Sequence, residues 1–287
     1  MLTMEKRVLS NGVAMPGRGF GVFQIPNQEE CEQAVENALK AGYRLLDTAS
    51  VYGNEKAVGT AITKSGINRK ELFVTTKAWV SEMGYERTKQ AFHDSLNRLG
   101  LEYLDLYLIH MPLGDYYGAW RAMEGLYREG LVRAIGVCNF EADRLLDLCY
   151  HADVKPMIDQ VELHPFTQRK DLCEVAKQLN VQIEAWAPFA EGQNDIFTDN
   201  RLVGIGMKYH KTAAQVILRW HLQNGIIAIP KSIHEERIQE NFDIMDFVLS
   251  DEDMALIEAM DSGRNLILDI RAKEEVTRLH NIPVVNE

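Results

Sequence analysis

Asp47, Lys77 and His110 each close an apolar run, in YRLLDTASVY, LFVTTKAW and LDLYLIHMP, and Tyr52 follows Asp47 by five positions. A free phenol has a pKa of about 10 and is a poor acid at neutral pH. A nearby ammonium lowers that value, so Lys77 is expected to tune Tyr52, with Asp47 holding Lys77 as an ion pair. His110 is expected to hydrogen-bond the phenol or a substrate oxygen. Together the four describe a carbonyl polarised by a proton donor while a hydride arrives. Taken singly, each has an ordinary structural reading: a core tyrosine, a structural salt bridge, a strand-end histidine. Their conjunction at strand ends carries the chemical reading.

No side chain supplies a hydride, so a cofactor is required. The stretch IPKSIHEERIQEN puts Lys231, Ser232 and Arg237 where an apolar run meets a helix start. Free N–H groups at a helix start favour phosphate, and Arg adds a planar fork for its oxygens. No acid stands among its first residues to take a ribose diol; Glu235 and Glu236 lie further in. This favours a 2′-phosphate, hence NADP(H) over NAD(H), against the plainer reading of a solvated basic helix start. Asn139 and Gln160 end two further runs, VRAIGVCNF and DQVELHP, and amides suit a nicotinamide carboxamide. Trp186 in VQIEAWAPF offers a flat face for stacking, and Trp79 a wall for a substrate pocket. Their structural readings are a turn, a barrel-interior hydrogen bond and core packing.

Such residues need a frame that brings strand ends together. Eight β-rich runs, GFGVF, YRLLDT, LFVTTK, LDLYLIH, VRAIGVCN, MIDQVEL, VQIEAWA and GIIAIPK, alternate with amphipathic stretches. The latter include QEECEQAVENALKAG, YERTKQAFHDSLNRLG, EADRLLDLCYHA, TQRKDLCEVAKQLN and TAAQVILRWHLQNG. Apolar-dense runs fit strands covered on both faces, and a period of roughly 36 residues fits an α/β fold of the closed (β/α)8 TIM-barrel type. An open doubly wound sheet would want a glycine-rich turn opening a helix, and GRGFGV fits poorly. An N-terminal β-hairpin turning at Asn11-Gly12 is expected, and residues 262–287 read as a C-terminal closing loop. The long stretch 191–211 has room for an extra helix. No linker divides the chain, so residues 1–287 read as one domain.

The chain of 287 residues carries a formal charge of −11, which disfavours nucleic-acid or anionic-membrane partners. The four cysteines, Cys31, Cys138, Cys149 and Cys173, lie far apart with no metal or redox spacing, so no metal is expected. Reduced thiols, an opening MLTMEKRVLSNG without an apolar stretch, and no membrane-length run point to a cytoplasmic protein.

In order, GFGVF, LLDTASVYGNE, FVTTKAW, LIHMP, AIGVCNF, QVELHP and IPKSIHEERIQEN resemble an aldo-keto reductase nearly end to end, of the bacterial diketogluconate reductase type. The resemblance implies a monomeric NADPH-dependent carbonyl reductase in which Tyr52 is the proton donor, Lys77 and Asp47 its tuning pair, and His110 the residue that orients the carbonyl. It implies cofactor contacts at Gly21, Val22, Phe23, Asp47, Cys138, Asn139, Gln160, Trp186, Ala187 and Phe189, then at Lys231, Ser232, Ile233, Arg237, Glu240 and Asn241. Substrate contacts would fall on Phe23, Tyr52, Trp79, His110 and Met111, with the loop to Tyr117 and the tail from Leu279 to Pro283. There are departures. Cys138 stands where the family usually has Ser, and a thiol is a weaker donor. AWAPFAEG replaces a YSPLG-like stretch, so Ala187, Phe189 and Glu191 alter the wall over the pyrophosphate.

The expected reaction is NADPH-dependent reduction of a small aldehyde, α-dicarbonyl or keto-sugar. Two rivals use the same frame: a Schiff-base lyase or aldolase on Lys77 or Lys231, and a cofactor-sensing barrel without turnover. The first does not account for Tyr52, Trp186 and the IPKS segment together.

Overall fold

The computed structural model describes residues 6–284. Eight parallel strands run in chain order around a barrel: β3 (Gly19–Gly21), β4 (Leu45–Asp47), β5 (Phe73–Ala78), β6 (Leu104–Ile109), β7 (Val132–Cys138), β8 (Ile158–Glu162), β9 (Gln182–Trp186) and β10 (Ile227–Ala228). A hairpin, β1 (Lys6–Val8) and β2 (Ala14–Pro16), precedes them, turning at Gly12 with φ +85°. Asn11 Nδ2 donates to Arg133 O, 2.9 Å, at the start of β7. The hairpin therefore caps the barrel's N-terminal end, opposite the mouth where strands finish.

Between strands lie α1 (Gln28–Ala41), α2 (Glu55–Ser65), α3 (Tyr85–Leu99), α4 (Tyr116–Arg128), α5 (Ala142–His151), α6 (Lys170–Leu179), α7 (Asn200–Tyr209) and α8 (Ala213–Gln223). After β10 come α9 (Glu235–Phe242), α10 (Asp251–Glu258) and α11 (Lys273–His280). The helix ends follow local chemistry. Asn27 Oδ1 accepts from Glu30 N to open α1, and Gly42, at φ +113°, closes it. Cys31, Ala34, Val35, Ala38 and Leu39 of α1 are buried at helical spacing, each large apolar side chain contributing about 2 kcal/mol.

The five helical stretches named from sequence are all present, and α7 fills the long segment before α8. Three helices, α2, α4 and α10, were not singled out from the sequence. β10 is much shorter than the expected GIIAIPK, because Pro230 has no N–H for the ladder. The seam closes instead by a bridge between Arg18 and Ala228 and by Gly21 N–H donating to Pro230 O, 3.1 Å. β3 approaches this closely only because it is glycine-rich: a Cβ on Gly19 would sit 2.7 Å from Ile229 Cγ2. The closing tail is not simply a loop, since it contains α11; its last three residues, 285–287, lie outside the described residues.

Candidate active site

Lys77, Asp47, Tyr52 and His110 meet at the mouth. Lys77 is fully buried, and its Nζ donates to Asp47 Oδ1, 2.5 Å, and to Thr48 O, 2.9 Å. Burial alone would strip its proton, but the Asp47 carboxylate outweighs this and holds the ammonium above the usual lysine range. An ammonium so locked is not a free amine, which counts against Schiff-base chemistry at Lys77.

Tyr52 ends a single 3-10 turn, Ser50–Tyr52, which stops at Gly53 with φ +65°. Three side chains that the sequence reading did not single out hold this turn. Ser50 Oγ donates to Glu82 Oε2, 2.7 Å, and lies 3.1 Å from Lys77 O. Glu82 Oε2 also accepts from Trp79 N, 2.6 Å. Asn54, fully buried, donates from Nδ2 to Val22 O and Ile25 O, 2.9 and 3.2 Å, and accepts from Thr48 Oγ1, 2.8 Å.

Tyr52 Oη lies 3.5 Å from His110 Nε2, and Lys77 Nζ lies 5.1 Å from the phenol ring centroid. The expected lowering of the phenol is reversed. Burial pushes Tyr52 above its ordinary value, and the Lys77 charge opposes without overcoming it. The resting group is a neutral phenol that keeps its proton for a stronger base.

Burial, then the Lys77 charge, hold His110 well below the usual histidine range, so the ring is neutral at physiological pH. Its edge packs on Tyr52 and Trp79, with centroids 5.6 and 4.9 Å apart. His110 Nδ1 is buried without a hydrogen-bond partner among the described residues.

Asn139 takes φ +61°, which asparagine tolerates. Its Nδ2 donates to His110 O, 3.0 Å, and its Oδ1 accepts from Trp186 Nε1, 2.9 Å. Gln160 spends its Nε2 on two carboxyls, Asp47 Oδ2 at 2.8 Å and Glu184 Oε2 at 2.9 Å. Its Oε1 faces the Cys138 thiol, 3.9 Å away, so only that oxygen is left for a ligand. Glu184 is a further buried acid that the sequence reading missed.

The β3, β9 and β10 side carries the other expected contacts. Gly21 and Val22 are buried, Phe23 is 48% and Ile233 40% exposed, and Trp186 is half-buried. Lys231 and Arg237 are exposed and make no ion pair among the described residues. Ser232 Oγ accepts from His234 N, 3.1 Å, just before α9. A separate groove of 920 Å³ between α1 and α9 is lined by Lys40, Ile233 and Arg237 but also by Glu235 and Glu236. Open apolar faces beside unpaired cations suit an elongated ligand with flat rings and phosphates. Glu240 is engaged elsewhere, accepting from Thr212 Oγ1, 2.8 Å, and Asn241 is buried. The AWAPFAEG loop runs through left-handed backbone at Ala187, Ala190 and Glu191, and Phe189 packs on Phe197. Glu191 Oε1 accepts from Gln24 Nε2, 3.4 Å, linking the loops that flank β10.

The tail closes the opposite side. Trp79, Val80 and Met111 form an apolar cluster with Leu268, Ile270 and Leu279, and Trp79 Nε1 donates to Ile282 O, 3.0 Å. Glu162 anchors it: its carboxylate accepts from Leu266 N, Ile267 N and Leu268 N at 2.7 to 3.2 Å. His164 Nε2 lies 3.2 Å from Glu162 Oε1. Burial pushes Glu162 up, but these hydrogen bonds outweigh it and hold the carboxyl below the ordinary range. Leu268 and Ile270 thus join Leu279 in covering Trp79 and Met111, where the sequence pointed only to the tail's far end.

The model of the Aldo/keto reductase family matches residues 11–262. A glyoxal reductase of Bacillus subtilis (strain 168) is 50% identical over 259 residues, covering 90% of this chain and 93% of that protein. The crystal structure of an aldo/keto reductase from Brucella melitensis is 45% identical with a TM-score of 0.86, over 90% of this chain and 100% of that one. That of a Bombyx mori aldo-keto reductase (AKR2E4), in complex with NADP, is 32% identical with a TM-score of 0.89 and covers both chains fully.

Proposed function

The chain belongs to the aldo/keto reductase family, oxidoreductases that reduce carbonyls, and on that premise we propose that it reduces a small aldehyde, α-dicarbonyl or keto-sugar with NADPH, Tyr52 giving the proton. The observation that carries this reading is a neutral phenol 3.5 Å from a neutral imidazole, beside a locked ammonium. Half-identity to a glyoxal reductase favours α-dicarbonyls within the class.

The donor set fits the cofactor. Lys231, Ser232 and Arg237 would hold the phosphates, with Arg237 on the 2′-phosphate. Gln160 Oε1 would accept from the carboxamide, and Trp186 would face the ring. When bound, NADPH supplies the hydride.

The chain's own residues do the rest. His110 donates an N–H to the carbonyl oxygen and fixes its direction. Tyr52 Oη gives that oxygen its proton, since a nascent alkoxide is a far stronger base than a phenolate. Lys77 steadies the phenolate left behind, and Asp47 keeps Lys77 charged and aimed. Trp79, Met111 and the tail shield the site from water. Asp47, Tyr52, Lys77 and His110 meet within one chain, so the proposed chemistry needs no second copy, and we read the protein as a monomer. The four unpaired thiols support a reducing compartment such as the cytoplasm.

Quenching of protein fluorescence by NADPH and by NADH, followed by NADPH oxidation with a panel of small aldehydes and α-dicarbonyls, tests the reading. Tight NADPH binding with turnover is expected; binding of neither nucleotide would overturn it.

A further inference from the structure

Glu184 is a carboxyl that the proposed mechanism does not use. It lies on β9, two residues before Trp186, so both side chains leave the same face of the strand. In register it faces Gln160 on one side and Ile227 on the other. It is fully buried, and its Oε2 accepts from the Gln160 Nε2 that also serves Asp47. Its Oε1 has no partner among the described residues.

Charge around it is uneven. Among the described residues Lys77 from β5 is the one cation acting on it, and Lys77 is already matched by Asp47 from β4. From β7 comes the Cys138 thiol, which burial keeps protonated, and from β10 the uncharged Ile227. A second buried carboxylate would have no countercharge, which is costly. Burial, with the Asp47 charge adding to it, pushes the Glu184 carboxyl up to about 8.

Resting on the NADPH reading above, we propose that Glu184 trades its proton against the charge of the nicotinamide: it is protonated when the ring is neutral and a carboxylate when the ring is cationic. The O–H bond of Glu184 breaks and its proton passes to solvent; nothing in the carboxyl is oxidised or reduced. The cation at the mouth supplies the countercharge that Lys77, spent on Asp47, does not. Binding of oxidised cofactor therefore releases a proton, and binding of reduced cofactor does not.

The test measures binding, not turnover. Dissociation constants for NADP+ and NADPH are determined by fluorescence from about pH 6.5 to about pH 9.5, and proton release by calorimetry in two buffers of different ionisation heat. Both nucleotides carry the 2′-phosphate, so its titration cancels in their ratio. The wild-type preference for NADP+ over NADPH should grow about tenfold with rising pH, the effect of a one-unit pKa displacement. Proton release on NADP+ binding should accompany it. Both effects should vanish in Glu184→Gln. A flat wild-type ratio overturns the proposal without any variant, as does a slope that Glu184→Gln leaves unchanged. Binding of neither nucleotide would instead overturn the cofactor assignment beneath it.

Discussion

Lys77 Nζ lies 2.5 Å from Asp47 Oδ1, with both side chains sealed from solvent. Neither charge is tolerable there alone. Removing the ammonium in Lys77→Met leaves an unpaired buried carboxylate, at a cost of about 3–5 kcal/mol. Asp47→Asn keeps the shape and leaves Lys77 its bond to Thr48 O, but it strands the buried ammonium in the same way. Turnover should fall about a hundredfold or more in both variants, with a drop in melting temperature in each. Thermal melts and initial rates check this, and an active, stable Lys77→Met would refute the pairing argument.

Arg237 is exposed and makes no ion pair among the described residues. If its guanidinium takes the 2′-phosphate, Arg237→Ala should weaken NADPH binding by about 2 kcal/mol, the size of a charge-assisted hydrogen bond, and leave NADH nearly unchanged. Titration of the variant with each nucleotide decides it. Equal losses would place the phosphate contact elsewhere.

Glu162 holds the tail by hydrogen bonds from three successive amides. Glu162→Gln removes the charge from this clamp, and a charged hydrogen bond is worth about 2 kcal/mol. We expect faster proteolysis of residues 262–284 and a several-fold rise in KM, with a smaller change in kcat. Because the folded carboxyl sits below its ordinary value, its contribution is present above about pH 4.3 and is lost as pH falls below it. A tail as resistant in the variant as in the wild type would show that the apolar cluster suffices.

His221 is buried with both ring nitrogens facing carbonyls, Ile217 O at 2.8 Å and Leu163 O at 3.0 Å. Burial lowers it to about 4, against about 6.5 when unfolded, with the two carbonyls, which favour a doubly protonated ring, opposing the shift. The unfolded chain therefore binds more protons across that window, and stability falls as pH falls through it, by about 3 kcal/mol from this group. His110, also lowered, acts in the same direction. Urea midpoints at about pH 7 and about pH 4.5 should show a smaller acid loss in His221→Gln than in the wild type. Identical losses would assign the acid sensitivity to other groups.

The mouth was legible in sequence because Asp47, Lys77 and His110 close apolar runs, and parallel strands bring such ends together; Gln160, expected at a strand end, lies instead in the middle of β8. Glu162, Glu184, Asn54 and Glu82 were not, because what they do depends on partners remote in the chain. Glu162 meets Leu268, 106 residues away, and no local spacing announces that. Glu184 reads as one polar residue in an apolar strand until its shared Gln160 amide is seen. The direction of the Tyr52 shift failed for a related reason. A neighbouring cation can be inferred from spacing, but the depth of burial that outweighs it belongs to the folded mouth.

The most direct test of the account is NADPH oxidation, followed by its absorbance, with glyoxal or methylglyoxal as substrate for the wild type and Tyr52→Phe. The account requires measurable wild-type turnover and a loss of about a hundredfold or more in the variant, with NADPH quenching of fluorescence nearly unchanged. Near-wild-type rates in Tyr52→Phe would contradict it, since the proton would then come from some other group.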